Sequence, residues 1–241
     1  MEKRLLLPNL APSELFILAR DQAFFKCLFY SGDRAGDLGH VKTPEIARFP
    51  NDSGFLFNHT WDKTLRDGST NLFGMRRHPN PSLCPIRAIE MYVAVAKEVG
   101  IDLSTGFLFR PTDHQGFVVD QLLTSSTSES RLKLYLKQAN LDGGETLHSF
   151  RCGCALTLTF SGSQLGDAMS HIGWSSSSTA QYYLKLANVI RAGAPAELLC
   201  KESSCSTQAS TLYMEFNHLK DFISAFPSGQ SSTAKRSRSA S

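Results

Sequence analysis

The sequence predicts a mainly α fold with a small antiparallel β-sheet (α+β). Three observations predict it. Apolar residues recur at helical spacing through most of the chain, helix-ending glycines and a helix-opening proline punctuate those segments, and strand-like patterning is confined to one stretch, 54–73. With 241 residues and 41% hydrophobic content, the chain can bury a sizeable core.

The first helix is SELFILARDQAFFKCLFYSG from Ser13, with apolar Leu15, Leu18, Phe25, Leu28 and Phe29, Ser13 as N-cap and Gly32 as stop. Phe24, Phe25 and Phe29 read as core. A short helical start follows at Asp33–Leu38, and Pro44 and Pro50 then interrupt. GFLFNHTW and TNLF read as short strands around the charged DKTLRDGS, hence a hairpin or longer turn. Pro85 opens PIRAIEMYVAVAKEVG, an amphipathic helix ending at Gly100. SESRLKLYLKQANL from Ser128 is another, followed by LHSFRCGCALTLTFSG, then SQLGDAMSHIG capped by Ser163, and STAQYYLKLANVIRAG capped by Ser178.

Beyond Ala194 the composition shifts to Ser and Cys. Residues 194–227 are expected to form a linker and a docking helix with Leu212, Phe216, Leu219, Ile223 and Phe226 on one stripe. Residues 228–241 are expected to be a disordered Ser-rich basic tail. Lys235, Arg236 and Arg238 lie in that tail without an acid, so the other 22 of the 25 basic residues balance 22 acidic ones. Bulk charge therefore does not announce nucleic acid, and a DNA argument must come from local placement. No run approaches the roughly eighteen apolar residues of a membrane span, and MEKRLLLPNL lacks the apolar stretch of a secretory signal. An intracellular protein with no membrane partner is expected. The six cysteines, Cys27, Cys84, Cys152, Cys154, Cys200 and Cys205, lack paired metal spacing and read as reduced thiols, so no metal and no cofactor is expected.

His148 and Arg151 stand three apart on a helix and so share one side. Alone, the pair could be a helix-start His beside a solvent Arg. Its company matters: Trp174 lies 23 positions past Arg151, and Tyr183 nine past Trp174. The series resembles the tyrosine recombinase, or phage integrase, family. In that resemblance SGDRAGDLGHVK supplies Arg34 and, three positions later, the acidic Asp37. WDKTLRDG supplies Lys63, LHSFR supplies His148 and Arg151, and IGWSSSSTAQYY supplies Trp174 and Tyr183. It runs from about Ser13 to Ala192, with order and spacing both in agreement.

The resemblance implies the tyrosine recombinase catalytic-domain fold over 13–193 and cleavage and rejoining of double-stranded DNA through Tyr183. It also implies a homo-oligomer, a tetramer, on DNA. The residue types suit that chemistry independently. Two guanidiniums, Arg34 and Arg151, can clamp the nonbridging oxygens of a phosphodiester on which charge builds. A phenol becomes an in-line nucleophile only in a positive, preorganised site. Lys63 on a hairpin can protonate the leaving 5′-oxygen, although Arg66 or Lys42 could stand nearby. His148 would hydrogen-bond the phosphate and help manage the tyrosine proton, and Trp174 would pack and donate its indole N–H. Tyr182 and Tyr183 differ by about 100° around a helix. Only one can face the phosphate, and the spacing selects Tyr183, leaving Tyr182 as a packing residue. Bland readings stand beside these: Arg34 as a surface turn residue, Lys63 as an exposed hairpin lysine, Trp174 as core.

Family members usually place an all-helical DNA-gripping domain before the catalytic one. Here residues 1–12 form a short leader, and that domain is expected to be absent. Trp174 stands where most bacterial members carry His, which resembles the Cre-like variation. The Cys- and Ser-rich context and the KTLRDG hairpin resemble more closely the DIRS and Crypton integrases of eukaryotic mobile elements, which would imply a nuclear location, with KRSRS as a weak signal. Two other readings remain: a non-catalytic DNA-binding or interaction module that retains the fold, and a type IB topoisomerase sharing the chemistry.

Overall fold

A computed structural model describes residues 10–61, 70–174, 176–190 and 194. The chain divides into a body, Met1–Asn188, and a segment from Val189 onward. Lys63, and nearly all of the expected linker, docking helix and tail, lie outside the described residues.

Helix α1, Pro12–Ser31, forms the spine of the body. Its N-cap is Ala11 rather than Ser13: Pro12 takes the first helical position, where a missing N–H costs nothing, and Leu15 N donates to Ala11 O at 2.9 Å. The helix stops where expected, at Gly32, in the left-handed region with φ 63°. Phe16, Phe24 and Leu28 are fully buried, whereas Phe29 is only half-buried against Gly153. Helix α1 packs against α3 (Pro85–Glu98) and α5 (Leu147–Phe160). Aromatic contacts join these helices: Phe16 meets Tyr92 of α3 at 5.3 Å, and Phe25 stacks on Phe150 of α5 at 5.6 Å.

The short helix α2 spans Ala35–Leu38. Three strands follow, β1 (Ile46–Arg48), β2 (Gly54–His59) and β3 (Asn71–Arg76), in an antiparallel sheet of order β1-β2-β3. β2 and β3 pair from Gly54↔Arg76 to His59↔Asn71; of the residues between them, 62–69 lie outside the described residues. Phe57 and Phe73, opposite one another, stack at 5.0 Å on the core face. Strand β1 was not expected from the sequence.

Helix α4 spans Ser125–Gln138 and begins three residues before the expected Ser128. Thr124 caps it by accepting from Thr127 N, while Ser128 turns inward and donates to Thr124 O. Helix α6, Leu165–Ile172, takes Gln164 as N-cap instead of Ser163, and packs on α5 and β3. In α7, Ser177–Ile190, the capping hydroxyl is that of Ser176, which accepts from Ser178 N; Ser178 itself lies inside the helix.

A buried charged network crosses the layers. Fully buried Arg20 donates to Asp21 Oδ1 and to the Arg110 carbonyl, and Asp21 Oδ2 accepts from Arg131 Nε and Tyr135 Oη, each at 2.7 Å. This pins α1 to α4 and to the loop through Arg110. Such a group costs about 3–5 kcal/mol if one partner is removed, because the rest stays buried without its counter-charge. No described helix is long and apolar enough to cross a membrane.

Candidate functional site

The left-handed residue Gly32 ends α1 and swings the chain into the turn that carries Arg34. Asp33 Oδ1 accepts from Arg34 N at 2.8 Å, and Arg34 sits in extended backbone conformation at the N-cap of α2. Its guanidinium is partly exposed and bonds Asp37 Oδ2 at 3.2 Å, one turn further on. More than a hundred residues away in sequence, the first turn of α5 presents His148, which is exposed, and Arg151, which is buried. An open cleft of about 700 Å³ brings them together, lined by Arg34, Asp37, Trp61, Glu129, His148 and Arg151 among others.

Glu129 of α4 orients one wall: its Oε2 accepts from Leu147 N, so a carboxylate sits at the N-terminus of the helix that carries His148. Opposite, Trp61 stacks on His40 with ring centroids 3.4 Å apart, and His40 Nδ1 donates to Gly36 O. Arg151 is held from below. Its Nη1 donates to Gly32 O at 2.7 Å and to Ile172 O at 3.2 Å, and its guanidinium lies 5.6 Å from the Trp174 ring centroid. One side chain thus joins the end of α1, the end of α6 and the cleft.

Trp174 and Tyr183 do not line the cleft. They stack on each other behind Arg151, with centroids 5.2 Å apart and ring planes 8° apart. The Tyr183 hydroxyl is hydrogen-bonded to Cys152 Sγ at 3.0 Å. Tyr183 is 9% exposed and Tyr182 64%, so Tyr182 is a surface residue and not the packing residue expected from the helical wheel. Burial first, and the Cys152 hydrogen bond second, push the Tyr183 hydroxyl up to about 12, against the lowering influence of Arg151. Replacing Cys152 by alanine removes both the hydrogen bond and the charge interaction of the thiol, leaving burial and Tyr182 as the raising causes. The Tyr183 ionisation is therefore expected to fall toward the ordinary tyrosine value of about 10. An NMR titration with ring-labelled tyrosine checks this, and an unmoved midpoint would show that the thiol contributes nothing.

Sequence reasoning missed Cys152, Trp61, Glu129 and Asp33. Trp61 and Asp33 each neighbour a residue singled out in the same segment, which was the available signal; nothing in the sequence connects Cys152 to a tyrosine 31 residues later. Among the described residues, no group of three or more His, Cys, Asp or Glu side chains could hold a metal ion.

No protein-family model matches the chain, and no curated protein matches it. Solved structures do. A XerH site-specific recombinase bound to palindromic difH substrate, in a post-cleavage complex, matches with TM-score 0.56 and 12% identity over 76% of this chain and 45% of that one. A XerA recombinase matches with TM-score 0.53 and 18% identity over 81% of this chain and 62% of that one. The chain spans less than two thirds of the length of either. Its fold is that of tyrosine recombinase catalytic domains, a mainly helical body around a small three-stranded antiparallel sheet.

Proposed function

We propose that the chain is a DNA strand transferase that cleaves and rejoins double-stranded DNA through Tyr183. One observation carries this reading: Arg34, Asp37, His148 and Arg151, from two distant segments, line a single cleft. The stack of Trp174 and Tyr183 lies directly behind Arg151.

A scissile phosphate enters the cleft with its nonbridging oxygens between the guanidiniums of Arg34 and Arg151. Arg151 is oriented by two carbonyls and Arg34 by Asp37, so neither must reorganise as charge develops. The Tyr183 oxygen leaves Cys152, forms a bond to phosphorus, and gives up its proton with the help of His148. The bond from phosphorus to the 5′-oxygen breaks, and Lys63 protonates that oxygen. The product is a 3′-phosphotyrosyl ester with a free 5′-hydroxyl, and attack by a 5′-hydroxyl reverses every step. The ester conserves the bond energy, so rejoining needs neither ATP nor a metal. The same reading includes a homotetramer on DNA. It also includes placement with the DIRS and Crypton integrases, supported by the Cys- and Ser-rich context and the KTLRDG segment, and with that a nuclear location.

The test is a denaturation-resistant protein–DNA adduct on a pool of nicked oligonucleotides that traps cleaved strands. Wild type is expected to form it. Tyr183→Phe is expected to lose it entirely while keeping its DNA affinity and, with the Trp174 stack preserved, its fold to within about 1 kcal/mol. An adduct that survives in the mutant removes Tyr183 as nucleophile.

A second reading, a non-catalytic DNA-binding module, is favoured by a different observation: Tyr183 is buried and its hydroxyl points to a thiol. It predicts no adduct, with DNA binding that weakens steeply with salt, as phosphate contacts require.

A further inference from the structure

We infer that His59 is a positioning residue for Arg34, acting through Asp33, and that it ties the Arg34 turn to the strand end from which the chain runs on to Lys63. The inference rests on the cleft being the reactive site proposed above.

His59 ends β2 and is fully buried, as is Asp33. Its Nδ1 lies 3.2 Å from Asp33 Oδ2; a carboxylate only accepts, so Nδ1 carries the proton. The other oxygen of the same carboxylate accepts from Arg34 N at 2.8 Å, and Asp33 N in turn donates to Ser31 Oγ at 3.1 Å. The carboxylate thus has one oxygen on the backbone of Arg34 and one on the end of the sheet. Among the described residues, the other ring nitrogen, Nε2, finds no hydrogen-bond partner, so Asp33 is the polar anchor of the ring.

The linkage adds a buried anchor on the backbone side of Arg34 to the contacts that hold it from the other side, the Asp37 ion pair and the Leu38 N to Arg34 O hydrogen bond at 2.8 Å. Residues 32–34 lie between α1 and α2, Gly32 N donating back to Leu28 O at 3.2 Å, and the α2 N-cap, Arg34, makes no side-chain cap hydrogen bond. The negative groups around the ring, Asp33, Asp37 and Glu45, reinforce the pair: burial lowers the His59 pKa, but the Asp33 hydrogen bond and these charges outweigh it and raise the value above the ordinary one. His59 touches no reacting atom in this arrangement, which makes it a positioning residue and not a catalytic one.

The experiment compares wild type, His59→Phe and His59→Gln by two readouts. The first needs no DNA: hydrogen exchange at the Arg34 amide. His59→Phe is expected to accelerate it by roughly tenfold, as loss of a charge-assisted anchor implies, with α1 and α5 amides unchanged. His59→Gln, which can still donate to Asp33, restores protection. The second is the rate of adduct formation at saturating nicked DNA. His59→Phe is expected to slow it on the order of ten- to a hundredfold through misplacement of Arg34, with DNA affinity unchanged to within about twofold, and His59→Gln to recover most of it. Unchanged Arg34 exchange in His59→Phe overturns the inference, as does a uniform rise across all amides, which marks a purely structural core residue. If wild type forms no adduct, the strand-transfer reading fails while the amide readout still decides the linkage. Should His59→Phe fail to fold, Asp33→Asn takes its place: it keeps an acceptor for Arg34 N but removes the charge that holds His59. A smaller rise in Arg34 exchange is then expected, and none overturns the inference.

Discussion

Arg151→Ala is expected both to destabilise the body by about 3 kcal/mol and to cut strand cleavage on the order of 10²–10³-fold. The two effects have separate causes. The stability loss comes from two buried carbonyls, Gly32 O and Ile172 O, that lose a charged donor, and from the Trp174 ring, which loses the guanidinium beside it. For a domain of this size, that is a fall in melting temperature of about 6–12 °C. The expected cleavage loss follows from the proposed role of Arg151 as one half of a phosphate clamp. Arg151→Lys separates them: it keeps the positive charge but offers no planar fork, so it is expected to recover part of the stability and little of the rate. Calorimetry and single-turnover adduct formation measure the two quantities. Full stability in Arg151→Ala would mean that the carbonyl contacts carry no weight.

That prediction uses both what the sequence disclosed and what it hid. The pairing of His148 with Arg151 was legible because helix periodicity alone puts residues three apart on one side. The stop at Gly32, the proline-led start of α3 and the two long strands were legible for similarly local reasons: a left-handed residue, a missing N–H and an alternating apolar pattern. What was not legible depends on neighbours distant in sequence. β1 has three residues, two of them exposed, so it carries no alternating pattern and exists because β2 offers it a pairing edge. The caps of α1, α6 and α7 were misplaced by one or two residues because only backbone geometry decides which side chain, if any, faces the free N–H groups. The sequence offered Arg151 as a solvent residue or as half of a phosphate clamp; that its guanidinium also stitches α1 to α6 follows from packing. The retracted Tyr183 is the largest difference. Spacing placed it near Arg151, and it is there, one ring away, but its hydroxyl is turned to Cys152.

Gly32 is where these threads meet, and Gly32→Ala is expected to be among the most damaging single changes to the body. Its φ of 63° already disfavours any L side chain, by about 1–2 kcal/mol. A Cβ there would also lie 2.9 Å from both Cys154 Sγ and Ile172 Cγ1, inside two residues that are themselves buried. Relief requires α5 or α6 to back away, and both contribute to the setting of Arg151. A total of about 2–4 kcal/mol is expected, against about 1 kcal/mol for Gly100→Ala, whose φ of 79° imposes similar backbone strain but whose Cβ would meet nothing within 4 Å. Thermal denaturation of the two variants measures the difference between them, which isolates the contact term from the dihedral one. Because Gly32 O is also an acceptor for Arg151, the displacement should reach the cleft: adduct formation in Gly32→Ala is expected to fall even at temperatures where the variant is fully folded, while Gly100→Ala retains the wild-type rate. Equal losses of stability in the two variants would show that α5 and α6 yield at no cost, and the cleft would then not be held by this junction.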